Sequence, residues 1–499
     1  MTLARSPASR PTRSDRDLPP WARLADALTL GALGLAALVY LFDGIRVELS
    51  WVTLSARTPT RLLIAAASLA AIRHAGHRAR PLPLRLAVAA ARVARSPSLA
   101  AVWPAFVTTR LMVLLIGYLA VVGLGFRDQI GFRVSADPFW NLPARWDAGW
   151  YLGIARRGYD ERLSRGQQNL AFFPAFPVLM RVAGEIVTVP ARITGRHELF
   201  GGGGDARVLW GGVLVSLALF LAALAYVYRL ARDHLDRDRA AAAPLLLACY
   251  PFAVFYGAPY TESLFLLCIT GAFFHMRRGE HAASSLFGFV AGLTRPNGFL
   301  LSLPLALIAL QRLRSDWPWL ARDLRPIGEG RDRRRQVWTG LPASAAPVAG
   351  MLTFSLYLYQ IVGRAFAWVQ AQRGWGRQLG LQSIQDPYNF VGEHGVVAFV
   401  SIWPVDVLNA AATVFALALT WPATRRFGLA YGALLAVNLA PPLLSLGFTS
   451  MGRYTSVLFP VFLVLAAILP PARRGVWVAG FAMLQGLAAV LFYCWRPLF

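Results

Sequence analysis

From residue 24 onward the chain alternates between long hydrophobic runs and short turns that carry arginine. Nine runs have about the length of a bilayer crossing: 24–42, 54–72, 99–125, 208–230, 341–361, 396–421, 427–447, 454–469 and 476–495. Four shorter runs, 241–257, 263–275, 284–293 and 298–310, read as brief spans separated by polar turns. The pattern predicts an all-α polytopic membrane protein with about thirteen transmembrane helices and no simple internal repeat.

One region breaks the rhythm. Residues 126–207 form a long connection that is neither a span nor uniformly polar. Within it, 141–160 reads NLPARWDAGWYLGIARRGYD. Asp147 stands where a helix begins, Tyr151, Ile154 and Ala155 follow at helical spacing, and Gly158 stands at the far end, so a short helix is expected over 147–157. Residues 172–189 are apolar, but Pro174, Pro177, Arg181 and Glu185 make them a poor span. They are expected to lie in the membrane interface as an amphipathic helix. The glycines 201–204 read as a link, since no Lys-Ser/Thr follows to complete a phosphate loop.

Composition strengthens the membrane reading. The 499 residues are 56% hydrophobic and 15% charged, against a charged fraction of roughly a quarter in soluble domains. Arginine supplies all 50 basic side chains, giving a formal net charge of +25 without a single lysine. Such usage suggests GC-rich coding and a bacterial source. Because the arginines are spread over many short loops, they mark topology and not a nucleic-acid footprint. Residues 311–336 hold eight arginines against four acids, so they are assigned to the cytoplasm together with 73–98. Residues 1–23 read as a disordered basic tail retained ahead of the first span. The expected organisation is therefore this tail, an N-terminal helical hairpin with a basic segment over 24–98, and a catalytic membrane domain over 99–499. Cys249, Cys268 and Cys494 lack metal or redox spacing, and the seven histidines form no HExxH motif.

Threading the spans with arginine inside places WDAGW, PYTES, TRPNG, QAQRGWGR and SMGRY on one, extracytoplasmic, side of the membrane. They read as parts of one site in the plasma membrane. Asp147 lies between Arg145 and Trp146 on one side and Trp150 and Tyr151 on the other. A carboxylate can take a proton from an attacking hydroxyl, and indoles stack on the apolar faces of sugars. The competing reading is that Asp147 only caps its helix. If the donor leaves as a phosphate anion, a single carboxylate suffices, because cations replace the second, proton-donating acid of ordinary glycoside cleavage. Arg295, Arg453 and Arg373 are candidates for binding the donor phosphate. Arg145, Trp146, Trp150, Tyr151, Glu262 and Trp375 are candidates for binding substrate. Phe172, Phe173 and Phe176 read as packing residues.

The set RWDAGWYLGIARRGYD, NLAFFPAFP, YPFAVFYGAPYTESLF, GLTRPNG, FAWVQAQRGWGR and GRYTSVLFPVF, taken in this order, resembles the PIG-V family of mannosyltransferases, a branch of the multispanning GT-C glycosyltransferases. The resemblance runs from about residue 105 to 460. It implies a GT-C-like bundle with a large first extracytoplasmic loop carrying short amphipathic helices. It also implies inverting transfer of mannose from a polyprenyl-phosphate donor to a hydroxyl of a glycolipid, glycan or protein, with Asp147, by position, as the base. No cofactor, nucleotide sugar or metal is implied. The expected partners are the lipid-linked donor, one such acceptor and membrane lipids, with no nucleic acid. A transporter or flippase of a lipid-linked sugar is the alternative from another class.

Overall fold

The computed structural model describes residues 18–41, 45–49, 52–77, 80–126, 131–194, 203–311, 331–377 and 380–498. The basic tail up to residue 17, the first two glycines of 201–204 and most of the basic segment 311–336 lie outside these residues. The chain divides into two compact units, 1–96 and 97–499.

The first unit contains α1 (Pro20–Leu41), a hairpin of β1 (Ile45–Leu49) and β2 (Val52–Ala56), then α2 (Thr60–Gly76) and α3 (Leu82–Ala94). The strands pair antiparallel, with Val47 opposite Leu54 and Glu48 opposite Thr53. They depart from the all-helical expectation, and the expected span 54–72 begins as strand and turns helical only at Thr60. The reason is local: 45–49 and 52–56 alternate apolar and polar residues with period two, which suits a ribbon and not a helix. Asp26 of α1 pairs with Arg73 of α2 at 3.0 Å and with Arg85 of α3, tying the three helices together.

The second unit contains α4 (Pro97–Leu124), α5 (Ala148–Arg157), α6 (Ala175–Thr194), α7 (Gly204–Arg232) and α8 (Arg237–Cys249). These are followed by α9 (Glu262–Arg278), α10 (His281–Gly292), α11 (Ser302–Gln311), α12 (Arg331–Ser344), α13 (Ala346–Val362) and α14 (Ala367–Gly374). Last come α15 (Gln382–Ile402), α16 (Pro404–Phe427), α17 (Leu429–Leu446), α18 (Met451–Ser456), α19 (Phe459–Ile468) and α20 (Pro471–Tyr493). Among the described residues of the whole chain, seven helices are long and apolar enough to cross a membrane, or eight if one bent pair counts as a single span. The runs expected as brief spans do form helices, but α9, α10 and α11 have 17, 12 and 10 residues. The expected span 396–421 is displaced: the helix breaks at Trp403 and restarts at Pro404, where proline suits a first helical position.

Two packing features position the site. Small residues allow helices to meet backbone to backbone, as is common between membrane helices. A Cβ on Gly292 of α10 would lie 1.9 Å from the Pro347 carbonyl of α13, and one on Gly350 would lie 2.1 Å from the Phe289 carbonyl. The second feature is a 78° bend between α8 and the 3-10 turn Pro251–Gly257. Pro251 supplies no amide hydrogen, so carbonyls at the bend lose their helical donors. Arg110, buried on α4, donates to the carbonyls of Ala253 at 2.6 Å and Ala248 at 3.0 Å. Gln485 of α20 donates to those of Ala248 and Tyr250, both at 2.9 Å. The bent segment leads directly into Tyr260, Thr261 and Glu262.

Candidate active site

Asp147 occupies the position before α5, as the sequence pattern predicts, yet its carboxylate makes no capping bond to the helix amides. This removes the reading of Asp147 as a simple cap. Its Oδ2 instead accepts from Arg453 Nη1 at 2.6 Å. Two features fix its backbone. Trp146 is held at φ 47°, the left-handed region that a bulky residue rarely adopts. The Asp147 amide donates to the Tyr260 hydroxyl at 3.1 Å, and that hydroxyl donates to the Arg145 carbonyl at 3.1 Å.

Arg453 comes from α18, a helix of six residues that starts after Ser450, another non-glycine residue in the left-handed region at φ 63°. Its Nε donates to Glu262 Oε1, and the guanidinium lies over the Tyr260 ring at 4.6 Å. Glu262 Oε1 also accepts from Arg295 Nη2, while Arg295 Nε donates to Thr261 Oγ1 at 2.8 Å. Four charges from four distant stretches thus alternate in sign: Asp147, Arg453, Glu262, Arg295. Glu262 has no exposed surface. It is an internal anchor for both arginines, in contrast to Asp147, whose side chain is 16% exposed.

The remaining candidates divide into three groups. Arg145 is fully buried and spends its donors on main chain: the carbonyls of Tyr493, Asn141 and Ala144, each at 2.7 Å. Burial pulls its pKa down to about 10. Its place is beneath the loop, clamping 141–147 to the end of α20, away from the lining of the cavity. Trp146 follows the same direction, donating to the Phe492 carbonyl at 3.4 Å and packing against Trp495. Trp150, Phe172 and Trp375 form an aromatic group, with Trp150 stacked on Phe172 and meeting the Trp375 ring edge-on at 5.1 Å. Tyr151 packs edge-on against Tyr260, and burial pushes its phenol up to about 12. Arg373 lies apart from the charged network, on the wall of a second cavity.

These side chains enclose a small cavity of about 50 Å³ beside Asp147, Arg295, Arg453, Tyr151 and Trp375. Asp147 is its one lining carboxylate among the described residues; Glu262 does not reach it. A larger cavity of about 970 Å³ adjoins it, with Phe299, Leu300, Trp368, Pro441 and Leu444 among its walls. The two share Pro296, Asn297, Arg377 and Tyr454. Tyr260, Thr261, Asn297 and Arg377 stand in the motifs PYTES, TRPNG and QAQRGWGR, but no local pattern singles them out as site residues. Among the described residues no group of three or more His, Cys, Asp or Glu side chains is placed to hold a metal ion.

A family model described as Mannosyltransferase (PIG-V) matches residues 130–321, from the Asp147 loop through PYTES and TRPNG. This is the family that the sequence motifs resemble. Comparison with curated proteins finds no match. Among solved structures, the chain is similar to the apo form of the Archaeoglobus fulgidus oligosaccharyltransferase, with 16% identity and a TM-score of 0.39 over 78% of this chain and 56% of that one. The same archaeal enzyme, AglB, in complex with an inhibitory peptide and a dolichol-phosphate matches with 13% identity and a TM-score of 0.35 over 78% and 55%. The chain spans about half the length of these structures. At such scores the likeness is too loose to assign roles to residues.

Proposed function

We propose that this membrane glycosyltransferase moves a mannose from a polyprenyl-phosphate carrier to an acceptor hydroxyl in one inverting step, on the extracytoplasmic face of a GT-C-like bundle. The observation that carries the reading is the division of labour between the two acids. Glu262 is sealed between two guanidiniums, whereas Asp147 alone among the described residues brings a carboxylate to the cavity wall. The acceptor oxygen bonds to the anomeric carbon, its proton passes to Asp147, and the anomeric carbon–oxygen bond breaks with its electron pair leaving on the lipid phosphate. Arg453 holds one oxygen of the Asp147 carboxylate and leaves the other to meet the acceptor. A carboxylate serves as the base when the proton is lost late, after the hydroxyl oxygen has acquired positive character by bonding to carbon.

The cavities suit this division. About 50 Å³ holds a few waters, so a hexose enters it only by displacing them and parting the lining rings. A volume of about 970 Å³ lies in the range of ligand sites and accommodates an isoprenoid stem against Phe299, Leu300 and Leu444. Trp375, on the wall of the small cavity, offers a ring for the sugar, and the short helices α9 to α11 are read as lying within the bilayer. The acceptor is a glycolipid, glycan or protein hydroxyl. The test is Asp147→Asn in reconstituted membranes supplied with polyprenyl-phosphate mannose. Transfer is expected to fall by about 10²- to 10⁴-fold, the usual size of a general-base contribution, with the variant still folded. Product formation at the wild-type rate refutes Asp147 as the base.

A further inference from the structure

The strip QAQRGWGR contains two arginines, and only the second reaches both cavities. Arg373 lines the larger cavity alone; Arg377 lines the larger and the smaller one. Of the four residues the cavities share, Arg377 is the one cation, and Pro296, Asn297 and Tyr454 are neutral. The chain reaches this point through Gly376 at φ +71°, a turn conformation that glycine adopts without strain. One edge of the guanidinium is fixed: Nη1 donates to Gln372 Oε1 at 2.9 Å, and the Gln372 amide in turn donates to the Ala171 carbonyl at 3.2 Å. The Nε of Arg377 is buried and has no hydrogen-bond partner among the described residues. A buried donor on a fixed cation, left unsatisfied, is costly and calls for an acceptor.

Arg295 also has a buried donor without a partner among the described residues, its Nη1, but it and Arg453 differ from Arg377 in charge balance. Both are engaged with Glu262, and Arg453 also with Asp147, so their charge is already balanced inside the protein. We infer that Arg377, at the neck between the polar and apolar cavities, is the residue that binds the phosphate of an isoprenoid monophosphate, through its Nε edge. The inference rests on the lipid-phosphate reading above and moves the phosphate site from Arg295 and Arg453 to a residue outside the charged network. A phosphate at the neck has its isoprenoid stem in the larger cavity and its sugar directed toward Asp147. The apolar-to-polar change between the cavities then matches the change from hydrocarbon to headgroup along the ligand.

The test uses the full chain in detergent with farnesyl phosphate and, as the neutral control, farnesol. Wild type is expected to bind the phosphate more tightly than the alcohol. Arg377→Gln is expected to lose about tenfold or more of that preference, the size of one charge-assisted hydrogen bond pair. Arg377→Lys is expected to restore part of it, and Arg373→Gln to lose less than Arg377→Gln. On unaltered protein, farnesyl phosphate is expected to protect Arg377 from phenylglyoxal, read by peptide mass spectrometry, and farnesol is not. An undiminished preference in Arg377→Gln, or labelling of Arg377 that farnesyl phosphate leaves unchanged, overturns the role of Arg377 alone. No preference in wild type overturns the lipid-phosphate reading with it.

Discussion

Exchanging Glu262 for glutamine tests whether the two acids of the charged network have different tasks. In the native protein Asp147 and Glu262 balance Arg453 and Arg295. The Glu262→Gln variant keeps the side-chain shape and an accepting oxygen but leaves two guanidiniums facing one carboxylate, which reaches only Arg453. Arg295 and Arg453 are just 6% and 8% exposed. Removing one partner from a buried ion pair costs about 3–5 kcal/mol, and the retained amide oxygen places this variant near the lower end. Asp147→Asn removes one charge at the edge of the network, where the asparagine oxygen still accepts from Arg453, so the expected cost is about 1 kcal/mol. The two variants should therefore separate in opposite senses. Glu262→Gln lowers the melting temperature by about 3–6 °C, with loss of activity following the loss of fold. Asp147→Asn melts close to wild type while losing transfer. Cys249, Cys268 and Cys494 are all buried thiols, so a dye that fluoresces on reaction with cysteine reports unfolding directly in detergent. If Glu262→Gln melts with wild type while Asp147→Asn melts well below it, the assignment of anchor and base is wrong.

Further variants probe the supports of the site. Arg110→Met takes the side-chain donor from the Ala253 carbonyl while Ala248 keeps its bond from Gln485, whereas Gln485→Leu leaves Ala248 its bond from Arg110 and Tyr250 its bond from the Ala253 amide. The first should cost about 2–4 kcal/mol and exceed the second, read in the same melting assay. Gly292→Ala drives a methyl against the backbone carbonyl of Pro347, which no side-chain rotation relieves. It should destabilise by about 2 kcal/mol or more, visible as a lower melting temperature. Trp375→Ala removes a ring from the wall of the small cavity, where it packs edge-on against Trp150 and Phe172. In a transfer assay it should raise the substrate KM about tenfold with a smaller change in kcat, the loss expected of a ring that stacks on sugar.

Much of the site was readable from residue type and spacing because it depends on local rules. The start of α5 at Asp147, its end at Gly158 and the aromatic density between them are properties of one short stretch. What escaped reading depends on pairs far apart in the chain. No local pattern says that Glu262 will be enclosed by Arg295 and Arg453, or that Arg145 will turn away from Trp150 to clamp the end of α20. Arg373 and Arg377 are equivalent as letters, and the turn at Gly376 decides which one reaches the neck. The strand hairpin was missed for another reason: a run such as 54–72 has the mean hydropathy of a span, and averaging conceals the period-two alternation at its start. The break at Trp403 is likewise hidden by the high mean hydropathy of 396–421, although Pro404 and Asp406 stand within it.

The wide separation of the four charged residues has a consequence for biogenesis. Glu262 and Arg295 are 33 residues apart and can pair soon after α9 and α10 emerge from the ribosome. Asp147 waits for Arg453, 306 residues later. At the usual pace of translation that delay is about 15–60 s. During it the nascent protein carries an unpaired carboxylate in the 126–207 connection, and Glu262 holds only one of its two partners. The proposed reaction centre is thus closed by a segment made long after the 126–207 connection, so that neither proposed chemical role exists until α18 has joined the bundle.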